Sequence, residues 1–272
     1  MGADAATWLS LLAATIAQRP YVFVFLAVFL RLAGRDLGWR RAWGWLGWGF
    51  AVAFAAEYAS TRSGIPFGLY HYTGATAGRE IFVSNVPFFD PLSFPFLAYA
   101  SFCLARRVLG WSGGWAPIVL AGLLMMLLDV VIDPLSVRGE RWFLGRVFYY
   151  AEPGVYFGVP LANFVGWALV GWAIVGGYLW VTSRRRPRPL GSPSGGIGLY
   201  YVVLGFNLAV TGWIGEWALL GAGILVHVAV ILILYRLRAV SVARGWAAAR
   251  HSGAHRPAGT AVTDSVTDEG GF

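Results

Sequence analysis

Long apolar stretches alternate with short polar connections along most of the chain. A helix needs about 20 apolar residues to cross the hydrocarbon core of a bilayer. We predict seven such spans, near residues 10–33, 42–60, 86–105, 115–134, 155–181, 197–214 and 217–235. Residues 1–240 would then form a single transmembrane domain, followed by a polar, disordered tail at 241–272. The predicted fold class is all-α, a polytopic integral membrane helical bundle of about seven helices.

Two regions interrupt this pattern. Gln18-Arg19-Pro20 divides the first apolar stretch, which favours a short interfacial helix followed by a short span. Prolines recur at every fourth residue near the third span, at Pro87, Pro91 and Pro95. Proline removes a backbone donor and clashes with the preceding turn. Irregular backbone at membrane depth is tolerated only where it packs on protein or lines a cavity, so we expect a re-entrant or irregular segment around 61–95.

Composition agrees with a membrane protein. Of the 272 residues, 58% are hydrophobic and only 12% are charged, with a mean hydropathy of +0.62. A soluble domain carries about 25% charged residues. The aromatic content of 16% fits interfacial belts and an apolar ligand cavity equally well.

All 21 basic residues are arginine, and their positions predict a topology. Without lysine, a retinal protein with a Schiff-base linkage is excluded. Seven spans would bring four arginine clusters to one side of the membrane, at 31–41, 106–107, 184–188 and 236–250. The positive-inside rule makes that side cytoplasmic. We therefore expect a multi-pass protein of the cell inner (cytoplasmic) membrane, with the N-terminus out, the C-terminus in and no nucleic-acid partner.

Few residues suit a metal or redox cofactor. One cysteine, Cys103, excludes an internal disulfide and a cysteine metal cluster. The four histidines lack paired ligand spacing within the apolar region, and no dinucleotide-binding glycine motif follows a strand. We expect no metal and no cofactor.

The acidic residues carry the strongest functional signal. Asp129 and Asp133 lie at the end of an apolar run, where a charged side chain costs a few kcal/mol and therefore indicates function. Their i,i+4 spacing puts them on one helix face, about 6 Å apart. Two such carboxylates cannot both ionise easily in a low dielectric, so one is expected to keep its proton and to act as a donor. The alternatives are pairing with arginine, or a turn cap before Pro134.

Alternating span directions would bring further polar residues to the same membrane face. These are Glu57, Asp90, Glu152 and Asn163, with His71 as a titratable group in the connecting loop. Structural roles remain possible for these residues. Glu57 could pair with Arg62 or Arg79, and Asp90 and Glu152 could lie in turns before prolines. Asn163 could form a hydrogen bond between helices.

Five blocks together resemble a known family. They are Glu57, GIPFGLYHYT (64–73), Val86-Pro87, DVVIDP (129–134) and EPGVYFGVPLANFVGW (152–167). In this order and spacing, over about residues 50–180, they resemble the CruF-type carotenoid 1,2-hydratases, which include the haloarchaeal bisanhydrobacterioruberin hydratases. The resemblance implies cofactor-free, acid-catalysed addition of water to the terminal C1,2 double bond of a linear carotenoid ψ-end. The product would be a tertiary 1-hydroxy end group, and the substrate lycopene, γ-carotene or a C50 relative.

The resemblance also implies roles for the site residues. Asp129 or Asp133 would protonate the alkene, and Asn163 or Glu57 would orient the water. The other aspartate and the aromatic faces would stabilise the cation. The substrate-binding residues are then Asp90, Tyr70, His71, Tyr72, Glu152, Tyr156 and Trp167.

Other functions remain open. The DxxxD spacing also occurs in UbiA-like isoprenoid prenyltransferases, which hold magnesium and diphosphate. Buried acids serve as relays in proton-coupled transporters, and a non-enzymatic carotenoid-binding protein or a cyclase also fits an apolar site. Membrane lipid is an expected partner in every case, and association with other carotenoid enzymes is expected of a biosynthetic enzyme.

Overall fold

The computed structural model describes residues 5–110, 114–142, 144–183 and 190–251. These residues form eight α-helices: α1 (Ala5–Gln18), α2 (Pro20–Asp36), α3 (Trp39–Ser63), α4 (Ser93–Leu109), α5 (Ala116–Ser136), α6 (Leu161–Ser183), α7 (Ser194–Trp213) and α8 (Trp217–His251). Four short strands lie between helices: β1 (Tyr70–Tyr72), β2 (Phe82–Val83), β3 (Val86–Pro87) and β4 (Phe148–Tyr150). The predicted all-α membrane bundle with an irregular segment around 61–95 is confirmed.

Five helices of the described residues are long and apolar enough to cross a membrane: α4 with its preceding turn, α5, α6, α7 and α8. The α1–α2 pair, bent by 90°, makes a sixth span if it is counted as one. This bend lies at the predicted break around Arg19. The predicted count of seven requires α3 as well. This helix has 25 residues, but its tryptophan, glycine and charged side chains lower its mean hydropathy.

Two helices begin later than predicted. Instead of starting at 86, α4 starts at Ser93, because Pro87 lies in β3 and Pro91 in a 3₁₀ turn. Pro95 occupies the first turn of α4, where a missing N–H costs little. Residues 155–160, predicted as the start of a span, lie in a tight turn before α6, in which the N–H of the preceding Gly154 donates to the Gly158 carbonyl.

The last helix is longer than predicted. It extends to His251, past the predicted start of the polar tail at residue 241. Alanine and arginine, which recur after residue 235, are strong helix formers. Residues 252–272 of the predicted tail lie outside the described residues.

The helices alternate in direction. Along α5 and α6, Asp129 meets Asn163 while Gly122, two turns earlier, meets Trp172, so these helices are antiparallel. The C-terminal ends of α3, α5 and α7 therefore lie together with the N-terminal ends of α4, α6 and α8. We call this the cavity end of the bundle. Arginines at the other helix ends, such as Arg40 and Arg107, lie at the opposite end.

Helices α5 and α6 approach each other at two glycines. A Cβ at Gly122 would lie 2.2 Å from the Trp172 ring, and one at Gly171 would lie 2.9 Å from the Gly122 Cα. Small residues allow this close backbone approach in membranes, where packing drives helix association. The contact holds Asp129 against Asn163, two turns along α5.

We expect Gly122→Ala to destabilise the protein by about 1–3 kcal/mol, because overpacking forces the two helices apart. A matched control is Gly205→Ala on α7, where an added Cβ meets nothing within 4 Å. That change removes a helix-interior glycine and should be neutral or stabilising by up to about 1 kcal/mol. Unfolding of both variants in detergent micelles measures the difference. Equal stability of the two variants would contradict close packing at Gly122.

Candidate active site

A cavity opens at the cavity end of the bundle. Its volume is about 1030 Å³ including the mouth, and its walls come from α2, α3, α4, α5, α6 and α7. Strands β1 and β4 cover it, with Tyr70 paired to Tyr150 and Tyr72 to Phe148. Side chains alternate between the faces of a strand, and these four point into the cavity. The strand pair therefore supplies an aromatic roof.

Asp129 and Asp133 form a pair at the cavity wall. Asp133 lines the cavity and accepts a hydrogen bond from the Tyr150 hydroxyl at 2.8 Å. Asp129 lies one turn deeper, is 0% exposed, and accepts a hydrogen bond from Asn163 Nδ2 at 2.6 Å. The two aspartates lie one helical turn apart on the same face of α5. Two carboxyl groups this close in a low dielectric do not both ionise easily, so one of them keeps its proton.

Two oxygens beside this pair are left without partners. Asp129 Oδ1 and Asn163 Oδ1 are buried and form no hydrogen bond with any described residue. An unsatisfied buried polar atom costs about 1–3 kcal/mol. A proton shared between Asp129 and Asp133 reduces this cost at Asp129.

A second group of polar residues surrounds Tyr72. We call it the Arg19 cluster: Arg19, Glu57, Tyr72, Glu80 and Asp90. The Tyr72 hydroxyl lies 3.0 Å from Glu57 Oε2 and 2.8 Å from Asp90 Oδ2. Arg19 forms ion pairs with Asp90 and with Glu80, whose Oε2 is 3.1 Å from Arg19 Nε. One buried cation thus faces three carboxyl groups.

The roof tyrosines are hydrogen-bond donors. Burial, followed by the nearby carboxyl of Glu57, raises the pKa of Tyr70 well above its ordinary value. Burial also raises the pKa of Tyr72, with Asp90 as the next cause, and that of Tyr150, with Asp133 as the next cause. The three hydroxyls therefore keep their protons across the physiological pH range.

The rest of the cavity is mainly apolar and aromatic. Trp167 stacks on Phe94 with a centroid distance of 4.3 Å, and Phe67 packs against both rings. Phe25, Phe96 and Phe206 continue this wall between α2, α4 and α7. Aromatic faces attract cations, and the apolar surface suits a hydrocarbon ligand.

The structure brings together most of the residues that the sequence predicted for the site. Those that line the cavity are Glu57, Tyr70, Tyr72, Asp90, Asp133, Asn163 and Trp167, with Asp129 directly behind. The alternative pairing of Glu57 is not found, because Arg62 packs on Tyr58 and Arg79 donates to the Ala75 carbonyl.

Three predicted substrate-binding residues lie elsewhere. His71 is on the opposite face of β1, beside Tyr149, so the strand alternation turns it away from the cavity. Glu152 is exposed in the loop before α6. Tyr156 packs against Phe157 and Phe164 and is not among the cavity-lining residues.

Three residues of the site were missed from the sequence: Arg19, Glu80 and Tyr150. Arg19 carried a signal, since a cation beside a proline inside an apolar stretch needs a partner. Glu80 is 3% exposed although it lies in a polar loop, and Tyr150 reaches Asp133 only through the pairing of β4 with β1. Neither position follows from local sequence.

Comparisons with known proteins identify the family of this chain. A family model described as "Carotenoid biosynthesis protein" matches residues 9–235. A bisanhydrobacterioruberin hydratase from Haloarcula japonica is 32% identical over 183 residues, which cover 64% of this chain and 59% of that relative. The chain thus spans less than two thirds of the relative's length. No solved structure matches the chain. Since the family model covers most of the sequence, the chain belongs to the carotenoid biosynthesis protein family.

Proposed function

We propose that the protein is a carotenoid 1,2-hydratase, which adds water to the terminal C1,2 double bond of a linear carotenoid ψ-end. One observation carries the proposal: two aspartates one turn apart on α5, with Asp133 at the wall of a largely aromatic cavity and Asp129 buried behind it. An alkene offers no polar group to bind, so its hydration depends on a strong, well-placed acid in apolar surroundings. The hydratase relative supports the same chemistry.

The first step is proton transfer from the pair to the substrate. Asp133, which faces the cavity, gives its proton to C2, and the π electrons of the double bond form the new C–H bond. A tertiary cation remains at C1. The Tyr150 hydroxyl donates to the carboxylate left on Asp133 and stabilises it. Asp129, which lies behind Asp133, shares a proton with it.

The second step is capture of the cation by water. The faces of Trp167 and Phe94 and the carboxylate on Asp133 favour the positive charge at C1. Asn163, whose amide oxygen has no partner among the described residues, accepts a hydrogen bond from the water. The water oxygen bonds to C1 and its extra proton returns to the aspartate pair. The product is a tertiary alcohol, and no cofactor is consumed.

The proposed substrate is a linear carotenoid such as lycopene, γ-carotene or a C50 relative. The mainly apolar and aromatic lining of the cavity suits one hydrocarbon end group with part of the polyene. The remainder would lie among membrane lipids. We place the enzyme in the cell inner membrane with the N-terminus out, alongside other carotenoid enzymes.

Expression in a lycopene-accumulating bacterium tests the proposal. We expect a new pigment whose mass exceeds that of lycopene by one water, or by two if both ends react. An empty-vector strain is the control. The tertiary alcohol is identified by fragmentation with loss of water.

Other products would overturn the proposal and identify its rivals. A cyclase gives an isomer of lycopene with unchanged mass. A UbiA-like prenyltransferase gives a mass gain of a prenyl unit and requires magnesium, although no group of three or more metal-binding side chains converges among the described residues. Unchanged pigment supports a binding or transport protein.

A further inference from the structure

Tyr72 connects two carboxyl groups but carries one proton. Its hydroxyl is within hydrogen-bond distance of both Glu57 and Asp90. A phenol can donate only one hydrogen bond, and an ionised carboxylate can donate none. Two hydrogen bonds at this oxygen therefore require a proton on one of the carboxyl groups.

Arg19 decides which carboxyl group is protonated. It forms an ion pair with Asp90, and a neighbouring cation favours the ionised form of a carboxyl group. The Asp90 side chain also retains 26% exposure, so water stabilises its charge. Glu57 is 4% exposed, and among the described residues the ion pairs of Arg19 are with Glu80 and Asp90 and not with Glu57. Tyr72 thus donates to Asp90, and Glu57 donates to Tyr72.

The other groups facing Glu57 favour the same arrangement. Asp133 of α5 lines the same cavity as Glu57, and a second carboxyl group there opposes a negative charge on Glu57. Burial has the same effect. The titratable and charged groups around Glu57, from every packed element, are Tyr70, Tyr72, Asp90, Asp133 and Arg19.

We propose that Arg19, Asp90, Tyr72 and Glu57 form a proton relay that keeps Glu57 neutral and connects the cavity to its exposed edge. After Glu57 has given its proton to the aspartate pair, a proton enters at Asp90 and passes to the Tyr72 oxygen, while Tyr72 gives its own proton to Glu57. Asp90, Tyr72 and Glu57 each gain one proton and lose one, and Arg19 keeps its charge throughout, so no charge accumulates. Glu57 lines the cavity and serves as a reserve acid for the aspartate pair.

The catalytic use of this relay rests on the proposed hydratase function, but the protonation of Glu57 does not. When the proton released by the attacking water escapes to bulk water and does not return to the aspartate pair, the relay reprotonates the pair through Glu57 before the next turnover. Arg19 is therefore a positioning residue in this scheme, Asp90 and Tyr72 carry protons, and Glu57 reprotonates the aspartate pair.

Infrared spectroscopy of the purified protein at neutral pH tests the protonation directly. Glu57→Gln should remove one band from the protonated-carboxyl stretching region. Tyr72→Phe should leave that band in place but shift it, because the Glu57 proton loses its hydrogen-bond acceptor. Glu140→Gln, an exposed carboxylate outside the cavity, should leave the region unchanged.

Activity tests the relay separately. If the substrate is hydrated, Tyr72→Phe should lower kcat about 10–100-fold with little change in KM, since positioned acid–base groups contribute about 10²–10⁴-fold. The solvent deuterium isotope effect on kcat should also change, which a purely structural role would not produce.

The outcomes are distinguishable. An unchanged protonated-carboxyl spectrum in Glu57→Gln overturns the proposal, because Glu57 is then ionised. If the Glu57 band does not shift in the Tyr72→Phe variant, the relay is overturned. If the bands behave as expected but no carotenoid is hydrated, the proposed function fails while the protonation order stands.

Discussion

Asp133→Asn is expected to abolish hydration of the ψ-end while the protein remains folded. Amide and carboxyl groups have nearly the same shape, so the hydrogen bond with Tyr150 can be kept with either group as donor. The amide cannot give a proton to C2. Since general acid catalysis contributes about 10²–10⁴-fold, hydration should fall by at least about 100-fold.

Asp129→Asn should have the same effect by a different route. Asp129 lies behind Asp133 and does not line the cavity, so it acts through the proton that the pair shares. The oxygen of an amide at this position can still accept the hydrogen bond from Asn163 Nδ2, which preserves the fold. Loss of activity with unchanged stability would therefore identify a chemical role.

The measurement is the ratio of hydrated to unmodified pigment in a lycopene-producing host, normalised to the amount of protein in the membrane. Glu140→Gln is the matched control, because it removes one exposed carboxylate outside the cavity. A normal amount of hydrated pigment from both aspartate variants would contradict the assignment of the pair as the catalytic acid.

Arg19→Met is expected to destabilise the protein by about 3–5 kcal/mol, the usual cost of removing one partner from a buried ion pair. Arg19 and Glu80 are each only 3% exposed, and Asp90 shares the same cation. Without Arg19, two carboxylates would lie unpaired between the α1–α2 junction and the start of α4. Methionine fills a similar volume, so the loss is electrostatic.

Removing the carboxylates as well should reverse most of this loss. Combining Arg19→Met with Glu80→Gln and Asp90→Asn leaves three neutral side chains of nearly native shape. Replacement of a complete buried ion pair is often neutral. Arg79→Met is the matched control, since Arg79 is exposed and should change stability by less than about 0.5 kcal/mol.

Unfolding in detergent micelles measures all three proteins. If Arg19→Met alone is as stable as Arg79→Met, the ion pairs are not important for the fold. If the combined variant is no more stable than Arg19→Met, the loss arises from packing and not from unpaired charge.

Parts of the site follow from local patterns. The i,i+4 spacing predicted that Asp129 and Asp133 share a helix face, and both lie in the continuous helix α5. Alternating helix direction predicted that Glu57, Asp90 and Asn163 gather at one end, and all three line the cavity. Hydropathy and helix direction depend on residues near one another in the chain. A single sequence is therefore enough to predict which side chains share a helix face and which helix ends lie together.

Other parts depend on contacts between distant segments. Arg19 and Asp90 are 71 residues apart, and no periodicity relates them. The antiparallel pairing of β1 with β4 places Tyr150 at Asp133 and turns His71 away, although both strands are only three residues long. Pairing register between short strands is set by the packing around them.

The sequence by itself determined a helical membrane protein, the acidic pair at the end of one apolar helix, and the blocks that resemble carotenoid hydratases. Only the tertiary structure decided that Asp133 faces the cavity while Asp129 lies behind it, and that a buried arginine holds the second acidic group. The reason is physical. Apolar length and helical spacing are local properties of the chain, whereas the partner of a buried charge is set by which distant segments pack together.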